Sequence, residues 1–144
     1  MPACTFFGHR ECVELDKDRL REEIEKLIAQ GVDTFYVGNQ GQFDAAVRSV
    51  LHQLSQAYPQ IRYGVVLAYL PKPGQPQLDN TMFPEELEGV PPKFAIDRRN
   101  KWMLKNSDYV ICYLRYSWGG AYKFARMAQK SGKPVIQLNS RGGS

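Results

Sequence analysis

The sequence has few of the features that mark secreted, metal-binding or membrane-spanning proteins. Its three cysteines, Cys4, Cys12 and Cys112, are odd in number and lack C-x-x-C spacing, so neither a zinc site nor a disulfide framework is expected. Cys4 and Cys112 lie in apolar runs, where we expect buried, reduced thiols. The longest apolar run, Gly64–Leu70, is too short to cross a bilayer, and the N-terminus lacks a signal-peptide pattern. We therefore expect a cytoplasmic protein without membrane contact, metal or cofactor.

The charge of the chain is divided unevenly along its length. The 144 residues fit a single domain with a net charge of +4. Residues 1–93 carry 9 Lys and Arg against 13 Asp and Glu, whereas residues 94–144 carry 10 against 2. This basic C-terminal third suggests an anionic partner, either a phosphate-bearing small molecule or a nucleic acid. A solvated basic helix face would give the same composition, so charge alone leaves both interpretations open.

Short apolar segments alternate with segments of helical periodicity. Strands are predicted at 3–7, 34–37, 61–70, 109–114 and 134–138, with four amphipathic helices between them. Such alternation predicts an α/β, Rossmann-like three-layer α/β/α fold with a mainly parallel sheet of about five strands. Residues 71–93 hold six prolines and are predicted to form a long loop. The whole of 1–144 is predicted to be one domain, with 139–144 as a disordered tail.

In an open α/β sheet, ligands bind outside the carboxyl ends of the strands, at the point where the strand order reverses. This rule selects three glycine-bearing loops, of which Gly8-His9-Arg10 is the first. Glycine permits close backbone approach, Arg10 can donate to phosphate, and His9 can carry a proton near neutral pH. An ordinary turn followed by an exposed basic pair would have the same sequence.

The second loop is Gly38-Asn39-Gln40-Gly41, which joins a strand to a helix and is followed three residues later by Asp44. Backbone N–H groups at a helix N-terminus bind anions. Asp44 can contact a ribose hydroxyl or complement the helix dipole. Since the loop is not G-x-G-x-x-G, a standard dinucleotide site is not predicted.

The third loop is Ser117-Trp118-Gly119-Gly120, again between a strand and a helix. Its small residues allow a phosphate to approach the helix start, and Trp118 can stack on a base or pack onto its own domain. On the preceding helix, Arg98 and Arg99 point about 100° apart, so only one of them can readily face a pocket.

Several of these segments resemble a known family. Residues 99–103 (Arg-Asn-Lys-Trp-Met), the pair Ser107-Asp108 and the pair Gly119-Gly120 resemble the motif series of the LOG-type, lysine decarboxylase-like proteins. Those proteins belong, with the DNA-processing protein DprA, to the SLOG superfamily of Rossmann-like nucleotide-binding domains. Residues 4–10 and 38–44 resemble its compact YpsA-like branch. The resemblance covers residues 3–138 and implies a homo-oligomer, either a dimer or a tetramer.

The chain departs from the LOG-type pattern at one catalytic position. LOG-type enzymes cleave the N-glycosidic bond of nucleoside monophosphates with a motif arginine, matched here by Arg99, and a motif glutamate, replaced here by Ala125. Such hydrolysis needs a carboxylate, and Asp44 and Asp97 are the candidate substitutes. The departure weighs against hydrolysis and leaves Arg99 and Asp44 as candidate catalytic residues.

Three functions remain open on these residues. The first is binding or sensing of a nucleotide or an ADP-ribose-like ligand, with phosphate held by the second and third glycine loops together with Arg10 and Arg99, and the base stacked on Trp118 or Tyr122. The second is an N-glycosidase, or phosphoribohydrolase, with a relocated carboxylate. The third is single-stranded nucleic-acid binding, which the basic C-terminal third and the resemblance to DprA permit.

Overall fold

The computed structural model describes residues 2–12, 14–75 and 78–139. These residues form six strands, four α-helices and one 3-10 turn at Glu85–Leu87. The strands are β1 Ala3–Gly8, β2 Thr34–Val37, β3 Arg62–Val66, β4 Thr81–Met82, β5 Tyr109–Tyr113 and β6 Val135–Gln137. The helices are α1 Lys17–Ala29, α2 Gly41–Ala57, α3 Pro92–Lys105 and α4 Gly120–Lys130.

The six strands form one sheet in the order β4-β3-β2-β1-β5-β6, and every neighbouring pair is parallel. The predicted α/β, Rossmann-like fold is therefore confirmed. The sixth strand is β4, which pairs with β3 at Val65–Thr81 and Val66–Met82. It lies inside the proline-rich segment that was predicted as a loop. With only two residues it is too short to leave a periodic pattern in the sequence.

Two apolar cores lie on opposite faces of the sheet and are covered by different helix pairs. Cys4 and Phe6 of β1 belong to the core beneath α1 and α2, whereas Phe7 belongs to the core beneath α3 and α4. Successive side chains of a strand point to opposite faces, so a strand covered on both sides reads as a continuous apolar run. The result is a three-layer arrangement in which helices cover both faces of the sheet.

The sheet reverses its strand order between β1 and β5. From β1 the chain continues through α1 to β2 on one side, while β5 lies on the other side of β1 and leads through α4 to β6. The loops that follow β1 and β5 therefore leave in diverging directions and open a cleft between them. The first helical turns of α2 and α4 border this opening, and neither helix has a side-chain cap at its N-terminus.

The three cysteines are free and buried, which confirms the prediction of buried thiols at Cys4 and Cys112. Burial raises the pKa of the Cys112 thiol to about 12. In the ranges that the structure describes, no helix is long and apolar enough to cross a membrane. The predicted disordered tail lies outside the described residues except for Asn139, whose side-chain amide donates to the Leu114 carbonyl.

Candidate functional site

A cleft of about 760 Å³ opens at the switch point between β1 and β5. Its walls are the loop after β1, the loop after β5, the first turns of α2 and α4, and the middle of α3. The predicted residues that line it are Gly8, His9, Arg10, Gln40, Asp44, Arg99, Trp118, Gly119 and Gly120. All three predicted glycine loops therefore contribute to one cavity, as the strand-end rule requires.

Six other predicted residues lie outside the lining of the cleft: Gly38, Asn39, Gly41, Arg98, Ser117 and Tyr122. Gly38 lies behind the lining, because a Cβ there would be 2.7 Å from both Arg99 Nη1 and Asp44 Oδ2. Gly41, at φ 84°, packs against Arg10, whose Cα would be 2.8 Å from an added Cβ. Asn39 lines a neighbouring groove instead. Arg98 is exposed while Arg99 faces inward, which confirms that only one arginine of this pair reaches the pocket.

The cleft is also lined by residues that were not predicted from the sequence, among them Glu11, Asn100, Arg115 and Tyr116. Arg115 and Tyr116 follow β5 at its carboxyl end, so the rule that selected Trp118 applied equally to them. Glu11 directly follows Arg10. Asn100 carried no such signal, because its position depends on how α3 packs against the sheet.

Asp44 and Arg99 form the floor of the cleft. Arg99 is 3% exposed; its Nη1 donates to the Val66 carbonyl at 3.2 Å and its Nε donates to Asn100 Oδ1 at 2.8 Å. Asp44 Oδ2 accepts the Gln40 backbone N–H at 3.0 Å. Two roles are predicted for Asp44, contact with a ribose hydroxyl and complementing the helix dipole. The contact with the Gln40 N–H corresponds to the second role, because it lies at the start of α2.

Burial dominates the electrostatics of the floor. It raises the pKa of the Asp44 carboxyl, against the opposing effects of the Gln40 N–H and of the positive charges of Arg99, Arg48 and Arg10. Burial also lowers the pKa of the Arg99 guanidinium, and the negative charge of Asp44 opposes that shift. Each group therefore helps to keep the other charged in a place where an isolated charge would be costly.

The mouth of the cleft is basic and exposed. Arg10 and Arg115 are both exposed there, and Arg10 Nη2 donates to Gln40 Oε1 at 3.2 Å. Among the described lining residues, the three arginines at positions 10, 99 and 115 outnumber the two carboxylates, Glu11 and Asp44. An anion that enters the cleft meets a net positive field.

Three rings form an aromatic stack at one side of the mouth. His9 and Tyr116 lie with ring centroids 3.6 Å apart at 16°, and Tyr116 and Trp118 lie 4.0 Å apart at 24°. The innermost ring, His9, is 5% exposed, and its Nε2 has no hydrogen-bond partner. Burial lowers the pKa of His9, the charge of Arg115 lowers it further, and a hydrogen bond with the Tyr116 backbone opposes both. The outermost ring, Trp118, is 67% exposed and has a face open to solvent.

The structure also locates the two carboxylates that were predicted as possible substitutes for the missing glutamate. Asp97 lies outside the lining and contacts Lys123 Nζ at 2.7 Å and Lys101 Nζ at 3.2 Å. Ala125 is buried in the core and faces no cavity. Asp44 is therefore the one of the two substitutes that reaches the cleft. In the described part of the chain, no cluster of three His, Cys, Asp or Glu side chains is arranged to hold a metal.

Fold and cleft together define a Rossmann-like α/β protein with an open, basic site at its switch point. No family model matches the sequence, and no curated protein matches it. Among solved structures, the chain is similar to DNA processing protein A from Helicobacter pylori, a protein described by its single-stranded DNA binding mode. The TM-score is 0.64 at 17% identity, over 99% of this chain and 67% of that chain. The likeness supports the predicted relationship to DprA at the level of the fold, while the YpsA-like branch stays a prediction.

Proposed function

We propose that this chain binds single-stranded nucleic acid and takes one nucleotide of the strand into the switch-point cleft. The observation that carries the proposal is the open face of Trp118 beside the basic mouth of the cleft. Base stacking on an exposed aromatic ring, next to cations that bind the backbone, is the usual chemistry of single-strand binding and contributes about 1–3 kcal/mol per base.

Each part of a nucleotide has a complementary surface in this arrangement. The base stacks on the outer face of Trp118. The phosphate lies between Arg10 and Arg115, near the uncapped N-terminus of α4, where backbone N–H groups favour an anion. Arg99 contributes its positive charge from the floor of the cleft. Its Nη1 and Nε donate to groups of the protein, so these two atoms are not assigned to the phosphate.

The fold similarity supports the same proposal. The Helicobacter pylori protein, which is described by its single-stranded DNA binding mode, shares its fold with nearly all of this chain. The strand-end rule makes the switch-point cleft the expected ligand site of that fold.

A free nucleotide or an ADP-ribose-like molecule is the second candidate ligand. The closed floor and the volume of about 760 Å³ favour it, since small-molecule pockets commonly measure about 300–1,000 Å³. N-glycosidic hydrolysis at this site would use Asp44 as its carboxylate. Release of free base from a bound nucleotide, lost in Asp44→Asn, would demonstrate it. Cytoplasmic location and assembly into a dimer or tetramer stay predictions.

The experiment is a fluorescence anisotropy titration with labelled dT12, in competition with ADP-ribose and nucleoside monophosphates. We expect Trp118→Ala to weaken dT12 binding by roughly 5- to 100-fold, because it removes one stacking contact. Leu70→Ala is the matched control, since Leu70 is 66% exposed and lies outside the cleft. Equal affinity in both variants would contradict the proposal. If ADP-ribose or a nucleoside monophosphate displaces dT12 at a concentration far below that of dT12 needed for binding, a small nucleotide is the favoured ligand.

A further inference from the structure

Helices α3 and α4 share a strongly basic outer surface beside the cleft. Six exposed cations lie on it, three from each helix, and we call this surface the basic ridge. Its residues are Arg98, Lys101 and Lys105 on α3, and Lys123, Arg126 and Lys130 on α4.

The spacing of these cations aligns them into two stripes. On each helix they recur at i, i+3 and i+7, which brings them to one face. Each stripe is about 10 Å long, since seven residues of helix rise by that amount. Both helices follow β-strands of a parallel sheet, so the stripes run in the same general direction away from the cleft.

One acidic residue, Asp97, lies within these two helices, and it joins the stripes. Its carboxylate contacts Lys101 Nζ at 3.2 Å on its own helix and Lys123 Nζ at 2.7 Å on the neighbouring helix. These lysines lower the pKa of Asp97, against the opposing effect of burial. On the opposite side of the sheet, α1 carries four cations and four acids, and α2 carries one of each. Among the four helices, an excess of positive charge is therefore particular to α3 and α4.

The ridge runs beside the cleft on α3 and continues beyond it on α4. The cleft is lined by Ile96, Arg99, Asn100 and Met103 from α3, and by Gly120 and Ala121 from the start of α4. Lys123 is one helical turn beyond Gly120. A polyanion whose end occupies the cleft can therefore continue directly onto the ridge.

We infer that the basic ridge is the track along which the flanking phosphates of a bound single strand leave the cleft. This inference rests on the proposed function. Lysine and arginine side chains bind phosphates and do not distinguish the bases. The ridge therefore increases the affinity for longer strands, whereas any sequence preference comes from the cleft. It predicts that long strands bind more tightly and with a steeper salt dependence than strands that fill the cleft alone.

The test compares two double variants that remove the same charge from opposite sides of the sheet. Arg126→Ala with Lys130→Ala alters the ridge, and Lys17→Ala with Lys26→Ala on α1 is the control. Affinities for labelled dT4 and dT20 are measured from 50 to 300 mM NaCl. The salt slope is the slope of the logarithm of the binding constant against the logarithm of the NaCl concentration. We expect the ridge variant to reduce this slope for dT20 by about 1.4, which is about 0.7 for each of two lost phosphate contacts, and to leave the slope for dT4 unchanged. The control variant is expected to leave both slopes within error of the wild type.

Equal responses of the two double variants toward dT20 would overturn the ridge assignment. The proposed function would stand in that case if Trp118→Ala still weakened dT4. Failure of the wild-type protein to bind dT20 at 50 mM NaCl would overturn both. The wild type and both double variants are also tested on vesicles that contain phosphatidylserine. If the ridge variant alone loses vesicle binding and still binds dT20 like the wild type, the ridge contacts a membrane surface and the inference is overturned.

Discussion

Substitution of Gly8 by alanine tests how β1 and α2 are packed beneath the cleft. A Cβ at this position would lie 2.3 Å from Cγ and Cδ2 of the Phe43 ring and 2.8 Å from Cδ1. Phe43 is 1% exposed and is part of the core, so its ring has no free space to move into. Either β1 or α2 must shift. Overpacking of this kind costs about 1–3 kcal/mol, and the severity of the overlap leads us to expect a loss near 3 kcal/mol.

Urea denaturation followed by circular dichroism measures this loss, and Gly120→Ala is its control. An added Cβ at Gly120 meets no atom within 4 Å, and alanine is favoured over glycine inside a helix by up to about 1 kcal/mol. We therefore expect Gly120→Ala to leave stability unchanged or slightly raised. An ordinary surface substitution changes the free energy of unfolding by about 0.5 kcal/mol or less. A change this small in Gly8→Ala would show that an added Cβ does not displace β1 or α2.

Three further predictions follow from buried groups. The lowered pKa of His9 means that, as pH falls below its ordinary value of 6.5, the unfolded chain takes up the proton first. The wild type should therefore lose more stability between pH 7.5 and pH 5 than His9→Gln does, measured by urea denaturation, and equal losses would contradict this. Arg99→Met should lower the unfolding free energy by about 3 kcal/mol at pH 7.5, because the Asp44 carboxylate stays buried and loses the largest of the positive charges that offset its burial. The raised pKa of Asp44 lets protonation remove the buried charge as pH falls, so the loss should shrink between pH 7.5 and pH 4; a constant loss over this range would show that Arg99 does not act through the Asp44 charge. The three buried thiols should react with a thiol reagent only at the rate of unfolding, and rapid labelling of the native protein would contradict their burial.

The sequence was most informative where a structural rule depends on local pattern. Alternating strands and helices predicted the parallel sheet, and glycines after three strands predicted which loops meet at the switch point. The 100° separation of Arg98 and Arg99 correctly limited the inward-facing residues to one. These features depend on periodicity and on strand direction, and both can be read along the chain.

Features that depend on packing between distant segments could not be read in this way. Gly38 is predicted as part of a phosphate loop, and in the structure its lack of a Cβ leaves room for Arg99 and Asp44. The stack of His9 on Tyr116 joins residues more than 100 positions apart, and neither residue alone indicates it. The short strand β4 forms because β3 offers it an edge, not because Thr81 and Met82 favour a strand by themselves.

Photo-cross-linking shows whether a base of the bound strand stacks on Trp118 at the mouth of the cleft. The probe is a dT12 oligonucleotide with one 5-iodouracil, irradiated with the full-length protein and mapped by mass spectrometry of the digested adduct. We expect a cross-link within residues 116–118 that unlabelled dT12 competes away and that is absent in Trp118→Ala. Cross-links confined to aromatic residues away from the cleft, such as Tyr58 or Tyr69, would contradict this expectation.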